Sequence, residues 1–352
     1  MRHEVRLTGQ NARVKIHKLE GTDGFIVFDL DDAAHNIGVT RLAPKILVDG
    51  ATLLARSTTY LFATFEQQAG GASAGINVKA GEDRAAAISA FVAEVQPLAE
   101  AGSFLTEPGK GLSPEDLAPL HAVDPRVGFD PDAAHALLGL SAAAAADRTR
   151  SLDGARVAVE GLDRGTVSVL TEVAARGATV VAVSTAKGAA ARADGFDVAA
   201  LVEAVTASGP GALEALGLEV TPAPSVFAAD ADVLFTGSKS GALDGDAAAG
   251  VVAKTVVPIA PVPVTAKALA VLRRADAVVL PDFLTTCGPL FAMFPEEGAT
   301  ADDVRAVVVE QVDAVLGEVL DHADGPLLAA CYRAEAFLKT WQTTLPFGRP
   351  LA

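Results

Sequence analysis

The stretch LDGARVAVEGLDRGTVSVLTEVAARGATVVAVSTAK, residues 152–187, is the most informative part of the sequence, because its pattern indicates a strand, a tight turn, a helix and a second strand. The segment Arg156–Glu160 has an apolar centre with two β-branched valines, as in a buried strand, and Gly161 follows where the chain must turn. The pattern then predicts a helix over about residues 166–176 and a second strand over 179–184. Such a βαβ unit is typical of parallel, doubly wound nucleotide-binding sheets.

The glycines that usually accompany this unit are incomplete. In the fingerprint G-x-G-x-x-G, the three glycines form the turn, admit the pyrophosphate and let the helix approach the strand. Here the three positions hold Gly161, Asp163 and Thr166. Asp163 would place a carboxylate at a helix N-terminus that favours an anionic ligand, and Thr185 offers no carboxylate to the ribose. We therefore predict no NAD(P) binding or only weak binding.

A degenerate cofactor site would still have lining residues. They are Gly161, Arg164, Gly165, Ser184 and Thr185.

Composition excludes several classes of protein. The 352 residues, 50% of them hydrophobic, are enough for two cores. The net charge of −16 and the absence of a run of Lys and Arg argue against nucleic acid and membrane surfaces as partners. The N-terminus MRHEVRLTGQ has no apolar signal region, and no long apolar stretch is present, so we expect a cytoplasmic protein.

Neither cysteine spacing nor histidine spacing indicates a metal site. Cys287 and Cys331 are the two cysteines of the chain, and the six histidines show no ligand spacing. We expect no metal. The high content of Ala and Gly is typical of high-GC bacterial coding sequences.

The N-terminal part of the chain mixes strands and helices. We predict a strand hairpin over residues 4–30, a turn-rich segment over 31–42, and a helix that begins near Pro44. Residues 70–75 are interpreted as a small-residue loop that leads to a strand at 75–78. Further elements are a helix at 82–101, a strand at 104–106, and helices near 114–120 and 131–146.

After residue 187 strands alternate with helices of about ten residues, which predicts a parallel, doubly wound sheet. From residue 301 a valine stripe indicates a helix, and a last helix is predicted over 326–341. We therefore expect an α/β protein with three parts: an N-terminal domain (1–147), a Rossmann-like domain (148–300), and C-terminal helices (301–352) that pack back across the domains.

The order of these features resembles the Glu/Leu/Phe/Val amino-acid dehydrogenases, most nearly the leucine and phenylalanine branch. The similar segments are GVTRLAP at 38–44, ARSTTY at 55–60, GGASAGINV at 70–78, LDGARVAVEGL at 152–162 and VVLPDFLTTCG at 278–288. The resemblance implies an N-terminal α/β oligomerisation domain, a C-terminal Rossmann-like domain, and a cleft between them. In that family the chemistry is NAD(P)-dependent oxidative deamination.

The residues that carry this chemistry in the family are missing here. The resemblance implies one lysine in a T-Y-K-N motif, which reads Thr59-Tyr60-Leu61-Phe62, and a second in GGGKGGI, where Ser73 stands. A catalytic aspartate belongs to the loop that matches residues 104–111, and none is present there. Two asparagines are replaced by Pro261 and Thr286.

Each candidate in the expected cleft has two interpretations. The cleft candidates are Ser73, Lys110, His35 and Thr286. Ser73 is either a turn residue or a nucleophile, with His35 as its possible base, and Lys110 is either a solvated loop residue or a relocated catalytic lysine.

Four further side chains have a structural interpretation that we favour. Leu61 and Phe62 continue the apolar stripe of their helix, which indicates core packing rather than a remodelled substrate pocket. Cys287 is either a thiol activated by a helix N-terminus or a buried, inert one. For Arg41 we predict an ion pair that supports the N-terminal domain.

Two functions of different class follow. The first is a non-catalytic subunit that associates with itself or with a related dehydrogenase-type subunit. The second is an enzyme with a remodelled cleft, either a divergent NAD(P)-dependent oxidoreductase or a catalyst of nicotinamide-independent chemistry in a biosynthetic pathway. Both leave room for a small-molecule ligand in the cleft.

Overall fold

The computed structural model describes residues 14–126 and 131–352 and divides them into two compact units. The first unit takes its residues from Met1–Phe129 and Cys331–Pro350, and the second from Asp130–Ala330 and Leu351–Ala352. The division therefore lies earlier than residue 147, where we placed it. It also assigns residues 301–330 to the Rossmann-like unit and 331–350 to the N-terminal one.

The first unit is built on a five-stranded sheet, with three helices from its N-terminal segment. The strands are β1 (Lys15–Lys18), β2 (Gly24–Phe28), β3 (Asn36–Ala43), β4 (Gly70–Asn77) and β5 (Leu105–Pro108). The helices are α1 (Val48–Thr64), α2 (Arg84–Glu100) and α3 (Pro114–His121). The strand order is β1-β2-β4-β3-β5, with β3 parallel to both β4 and β5 and the other pairs antiparallel.

Two predictions for this sheet were wrong. The segment 31–42 contains strand β3 rather than only turns, and residues 70–75 belong to the central strand β4 rather than to a loop. The cause lies in the packing of α1 on β4, because a Cβ on Gly71 would lie 1.9 Å from the backbone oxygen of Ala55. The strand therefore needs small residues where strand propensity favours β-branched ones.

Cores form on both faces of the sheet. On one face Ile26, Ala74 and Ile76 pack with Phe91 and Val95 of α2. On the other face, α1 covers the sheet with small residues that include Ala51 and Ala55.

The C-terminal segment 331–350 is held in the first unit by polar contacts. Arg56, which is 3% exposed, forms an ion pair with Asp29 at 2.7 Å and donates to the carbonyl oxygens of Phe347 and Gly348. A buried guanidinium with this many acceptors is well satisfied. The part of the predicted hairpin that falls on residues 4–13 lies outside the described residues.

The second unit contains a six-stranded sheet. Its strands are β6 (Arg156–Glu160), β7 (Thr179–Thr185), β8 (Gly188–Ala191), β9 (Val233–Thr236), β10 (Thr255–Pro258) and β11 (Val278–Val279). The helices are α4 (Pro131–Thr149), α5 (Ser168–Ala175), α6 (Val198–Ser208), α7 (Ala212–Ala215), α8 (Gly245–Ala248), α9 (Ala266–Arg274), α10 (Asp282–Thr285), α11 (Gly288–Met293) and α12 (Ala301–Val319). The last helix, α13 (Pro326–Leu338), begins in this unit, and its residues from Cys331 onward belong to the first unit.

The strand order β11-β10-β9-β6-β7-β8 confirms the predicted doubly wound sheet. The pairs β6–β7, β6–β9, β9–β10 and β10–β11 are parallel. The last strand, β8, runs antiparallel to β7 and was not predicted, since GAAA carries no β-branched signal. The reversal of strand order on either side of β6 places a crevice at the carboxyl ends of β6, β7 and β9.

The valine stripe of α12 is buried at Val308, Val312, Val315 and Val319, as the sequence pattern predicts. Among the described residues, no helix is long and apolar enough to cross a membrane.

Candidate functional site

The first candidate site is the crevice of the second unit, where α5 follows β6. Gly161 makes the turn with φ +88°, and a Cβ there would lie 2.4 Å from the backbone nitrogen of Ser238. Asp163 follows in the loop, and its Oδ1 accepts from the backbone nitrogens of Gly165 at 2.9 Å and Thr166 at 3.0 Å. The side chain of Asp163 therefore occupies the N–H groups that precede the helix.

A second carboxylate fills the neighbouring edge of the crevice. Glu160, at the end of β6, is 6% exposed, and its Oε2 accepts from Thr236 Oγ1 at 2.8 Å. The same oxygen accepts from the backbone nitrogens of Gly237 at 2.9 Å and Ser238 at 3.2 Å. Sequence reasoning missed Glu160, although its place directly before Gly161 puts it at the carboxyl end of the first strand.

The other predicted cofactor-site residues bond mainly to the protein itself. Thr185 is buried and donates to the carbonyl oxygen of Pro210 at 2.8 Å, and Ser184 Oγ accepts from the Gly161 nitrogen at 3.2 Å. Arg164 donates through Nε to the carbonyl oxygen of Thr206.

These contacts bear on whether a dinucleotide fits the crevice. A pyrophosphate binds at such a turn through free N–H groups and a helix dipole. Here two carboxylates already accept from N–H groups on the two loops that follow β6 and β9. A dinucleotide would have to displace these acceptors and stand beside their negative charges.

The second candidate site lies on the first unit, on the sheet face that α1 covers. Strand register places Val27, Ser73, Val39 and Glu107 side by side in one row across that face. Ser73 is fully buried within β4, and its hydroxyl has no hydrogen-bond partner in the described parts of the chain. Ser73 is therefore a strand residue, not the turn residue that we considered.

His35 does not serve as a base for Ser73. It is exposed, and its Nδ1 lies 2.8 Å from the carbonyl oxygen of Gly102. The hypothesis of a His35–Ser73 pair is therefore wrong.

Arg41 lies in the next row of the same face, opposite Gly75 of β4. Its Nε and Nη2 are buried and have no hydrogen-bond partner within residues 14–126 and 131–352. Burial lowers the pKa of Arg41. No described residue forms the ion pair that we predicted for Arg41, so that ion pair stays a prediction.

Glu107, near the end of β5, belongs to a polar cluster with Arg126, Asp124 and His121 that we did not predict from the sequence. Its Oε1 accepts from Arg126 at 2.9 Å, and Arg126 also pairs with Asp124 at 2.5 Å. His121 Nε2 lies 3.5 Å from Glu107 Oε2 and 3.1 Å from the carbonyl oxygen of Thr106. Burial raises the pKa of Glu107, and the neighbouring Arg126 opposes that shift without cancelling it. The sequence carries little signal for this cluster, because helix α3 separates Glu107 from Asp124 and Arg126.

The remaining candidates are dispersed. Lys110 is exposed and forms no ion pair with any described residue, whereas its backbone oxygen accepts from the Leu42 nitrogen at 2.8 Å. Thr286, in the second unit, is 9% exposed and donates to the carbonyl oxygen of Asp282. Cys287 is fully buried, and burial raises its pKa, so the structure favours the inert thiol.

Leu61 is half-buried and Phe62 is fully buried in α1, in agreement with their interpretation as packing residues. Across residues 14–126 and 131–352, no group of three or more His, Cys, Asp or Glu side chains is arranged to hold a metal ion.

Comparison with known proteins points to one family. The model described as Glutamate/Leucine/Phenylalanine/Valine dehydrogenase matches residues 136–312. Among curated proteins, the NADP-specific glutamate dehydrogenase A1 of Halobacterium salinarum is 30% identical over 199 residues, covering 52% of this chain and 46% of the relative. The matched region is therefore less than half the length of that relative.

Solved structures extend the similarity to almost the whole chain. The hetero-hexameric glutamate dehydrogenase from Thermus thermophilus, in its leucine-bound form, matches with a TM-score of 0.76 at 27% identity. The match covers 94% of this chain and 89% of the Thermus thermophilus chain. The L-tryptophan dehydrogenase from Nostoc punctiforme matches with a TM-score of 0.63 at 19% identity, over 94% of this chain and 97% of the Nostoc punctiforme chain. This match shows a shared fold.

Proposed function

Because the chain belongs to the Glutamate/Leucine/Phenylalanine/Valine dehydrogenase family, we propose that it is a non-catalytic member of that family. Its role is that of a partner or regulatory subunit, which associates with further copies of itself or with a related dehydrogenase-type subunit. The observation that carries this proposal is the crevice of the second unit, where Asp163 and Glu160 take up the backbone donors of both loops.

The positions of the family chemistry support the same proposal. Where the resemblance implies two lysines, the chain has Leu61 and Ser73, neither of which carries an amine. Each positioned acid or base contributes roughly 10²–10⁴-fold to a rate, so loss of several together removes most of the catalysis. A dehydrogenase with these replacements would also lack the groups that hold the substrate.

Association with other subunits has support from a relative and from the sheet. The Thermus thermophilus relative is a hetero-hexamer and was solved with leucine bound. In this chain, β1 is the last strand on its side of the described sheet, and its residues are mostly exposed. A strand at a sheet edge offers backbone groups for pairing, and closed two-fold symmetry is the usual result.

A steady-state assay with leucine, valine, phenylalanine or glutamate and either nicotinamide cofactor tests the proposal. We expect turnover well below about 1 s⁻¹, and light scattering should give a multiple of the 35.8 kDa chain mass. Co-expression with a catalytic paralogue, such as one encoded by a neighbouring gene, should give a mixed oligomer. Turnover above about 1 s⁻¹ by the purified chain would refute the proposal, as would a monomer both alone and with that paralogue.

The Glu107 cluster favours an enzyme with a remodelled cleft as the second candidate. A buried carboxyl group with a raised pKa and a nearby imidazole is an arrangement typical of general acid–base catalysis. Glu107 and Ser73 share one row of the sheet. If this candidate is correct, an activity that is found by screening without NAD(P) will fall at least about 100-fold in Glu107→Gln.

A further inference from the structure

Helices α11 and α12 leave apolar side chains partly exposed on the second unit. Phe294, which directly follows α11, is 40% exposed, and the apolar side chains near it are half-buried. Several of these side chains pack on one buried cluster that α4 and α12 share. The α11–α12 surface consists of Phe291, Ala292, Met293, Phe294 and Val304. Partly exposed apolar groups with a polar border are typical of interaction sites.

Four exposed carboxylates border the α11–α12 surface. Two of them follow Phe294 in the loop after α11, and two lie in the first turn of α12, directly before Val304. These residues are Glu296, Glu297, Asp302 and Asp303. None of the four forms an ion pair with a described residue, although Asp303 caps α12 together with Thr300. The border of the apolar surface is therefore negatively charged.

Little positive charge lies near enough in the chain to offset these carboxylates. The sequence has no Lys or Arg from Ala275 to Val304. Arg305, the next cation, pairs with Glu172 at 2.8 Å, and Glu172 also pairs with Arg176 at 2.6 Å. This trio contributes one net positive charge against four negative ones. A partner that complements the surface must be apolar and positively charged.

A second copy of the chain and an anionic lipid surface both fit this charge pattern poorly. A two-fold contact between copies would bring the same carboxylates face to face, and the whole chain has a net charge of −16. An anionic membrane surface is repelled for the same reason. A basic amphipathic helix meets both requirements, because it satisfies its own backbone and presents apolar side chains on one face and lysines or arginines on the other.

We propose that the α11–α12 surface binds a basic amphipathic helix of another protein. Phe294 is the aromatic anchor of this contact, and Glu296 and Glu297 face the lysines or arginines of the bound helix. Met293 is the one methionine of the sequence besides Met1, and its flexible side chain adapts to the shape of a partner. The proposal does not depend on the proposed function, because it concerns a docking surface rather than turnover or assembly with related subunits.

The test adds the full chain to a fluorescently labelled helical peptide of about 14 residues, with leucines on one face and lysines on the other, and measures anisotropy. We expect saturable binding that weakens as the salt concentration rises. A second peptide has the same composition in scrambled order, so it keeps the charge and has no apolar face. It should bind at least about tenfold more weakly.

Three variants separate the apolar contribution from the charged one. Phe294→Ser should weaken binding about tenfold, as expected for a central aromatic anchor. Its matched control is Phe347→Ser, which removes a phenylalanine that is 72% exposed on the first unit and should bind as the wild type does. The double variant Glu296→Lys, Glu297→Lys changes exposed positions, so the fold persists. It should bind at least about tenfold more weakly and with a smaller salt dependence.

The proposal is overturned if the scrambled peptide binds as tightly as the amphipathic one, because that result indicates attraction by net charge alone. Undiminished binding by Phe294→Ser or by the double lysine variant would also overturn it, as would the absence of binding at about 100 µM peptide. Circular dichroism checks that each variant is folded. If Phe294→Ser does not fold, the double lysine variant and the scrambled peptide decide the outcome.

Discussion

Replacement of Asp163 by glycine should give the second unit a measurable affinity for NADH. Asp163 Oδ1 accepts from the backbone nitrogens of Gly165 and Thr166, and from the Thr166 hydroxyl at 3.1 Å. Asp163→Gly frees these donors and removes a negative charge from the place where a pyrophosphate binds. The donors that Glu160 holds remain occupied, so the single change restores one half of the phosphate site.

Asp163→Gly has two effects, one on the affinity for NADH and one on the stability of the fold. Two unit charges at about 4 Å repel by about 1 kcal/mol in water and about 4 kcal/mol at an effective dielectric constant of ~20. A value of about 2 kcal/mol, suited to a partly exposed loop, corresponds to roughly 30-fold in affinity. The second effect is the loss of a capping carboxylate, which destabilises the fold by about 1 kcal/mol and leaves the variant folded.

Calorimetry with NADH measures the effect directly. We expect the wild type to bind with a Kd above about 1 mM, and Asp163→Gly to bind in the range of tens of micromolar. Asp163→Asn removes the charge but keeps an acceptor, so its affinity should lie between the two. Asp194→Asn, at an exposed position, should behave as the wild type. A micromolar Kd for the wild type, or a gain below about twofold in Asp163→Gly, would refute the reasoning.

Two further predictions concern the first unit. Because burial raises the folded-state pKa of Glu107, its protonated form stabilises the fold, and that contribution is lost as pH rises from its ordinary pKa of 4.5 through the raised value. The difference in unfolding free energy between wild type and Glu107→Gln, measured in urea, should therefore fall as pH rises. The control variant Glu219→Gln, at an exposed position, should show no such trend. A difference for Glu107→Gln that does not change with pH would contradict the raised pKa of Glu107. Gly71→Ala should lower the free energy of unfolding by about 3 kcal/mol, since its Cβ would lie 1.9 Å from a backbone oxygen. Gly50→Ala, in α1 with open space around it, should raise the free energy of unfolding by about 0.5–1 kcal/mol. Equal unfolding midpoints in the two variants would contradict a rigid contact of α1 with β4.

The architecture of the second unit was predictable because its strands carry the expected signal. Strands β6, β7, β9 and β10 are rich in apolar residues and are separated by helical segments, so the sequence pattern predicts a parallel, doubly wound sheet. Strand β4 was not predictable on those grounds. The close approach of α1 requires small residues in β4. A strand of glycine and alanine lacks the alternation of β-branched and polar side chains from which strands are predicted.

The candidate site shows the same division between local and long-range information. Asp163 could be identified from the sequence because it falls inside a motif whose geometry is known. The role of Glu160 depends on Gly237 and Ser238, which lie more than 70 residues further along the chain. That Nε and Nη2 of Arg41 lack a partner among the described residues depends on all the neighbours of Arg41 together, and no local pattern in the sequence predicts it.

The two units treat their polar groups in opposite ways, and this contrast bears on what the protein binds. In the crevice of the second unit, Asp163 and Glu160 satisfy the backbone donors that a cofactor would need, so an added anion gains little there. In the first unit, the Ser73 hydroxyl and two nitrogens of the half-buried Arg41 have no hydrogen-bond partner among the described residues. Buried polar atoms without a partner are rare in folded proteins and are explained by a functional role, by strain, or by an ordered water or ion. Backbone donors that the chain itself satisfies suit a subunit without turnover, so the closed crevice accords with the regulatory subunit that we propose.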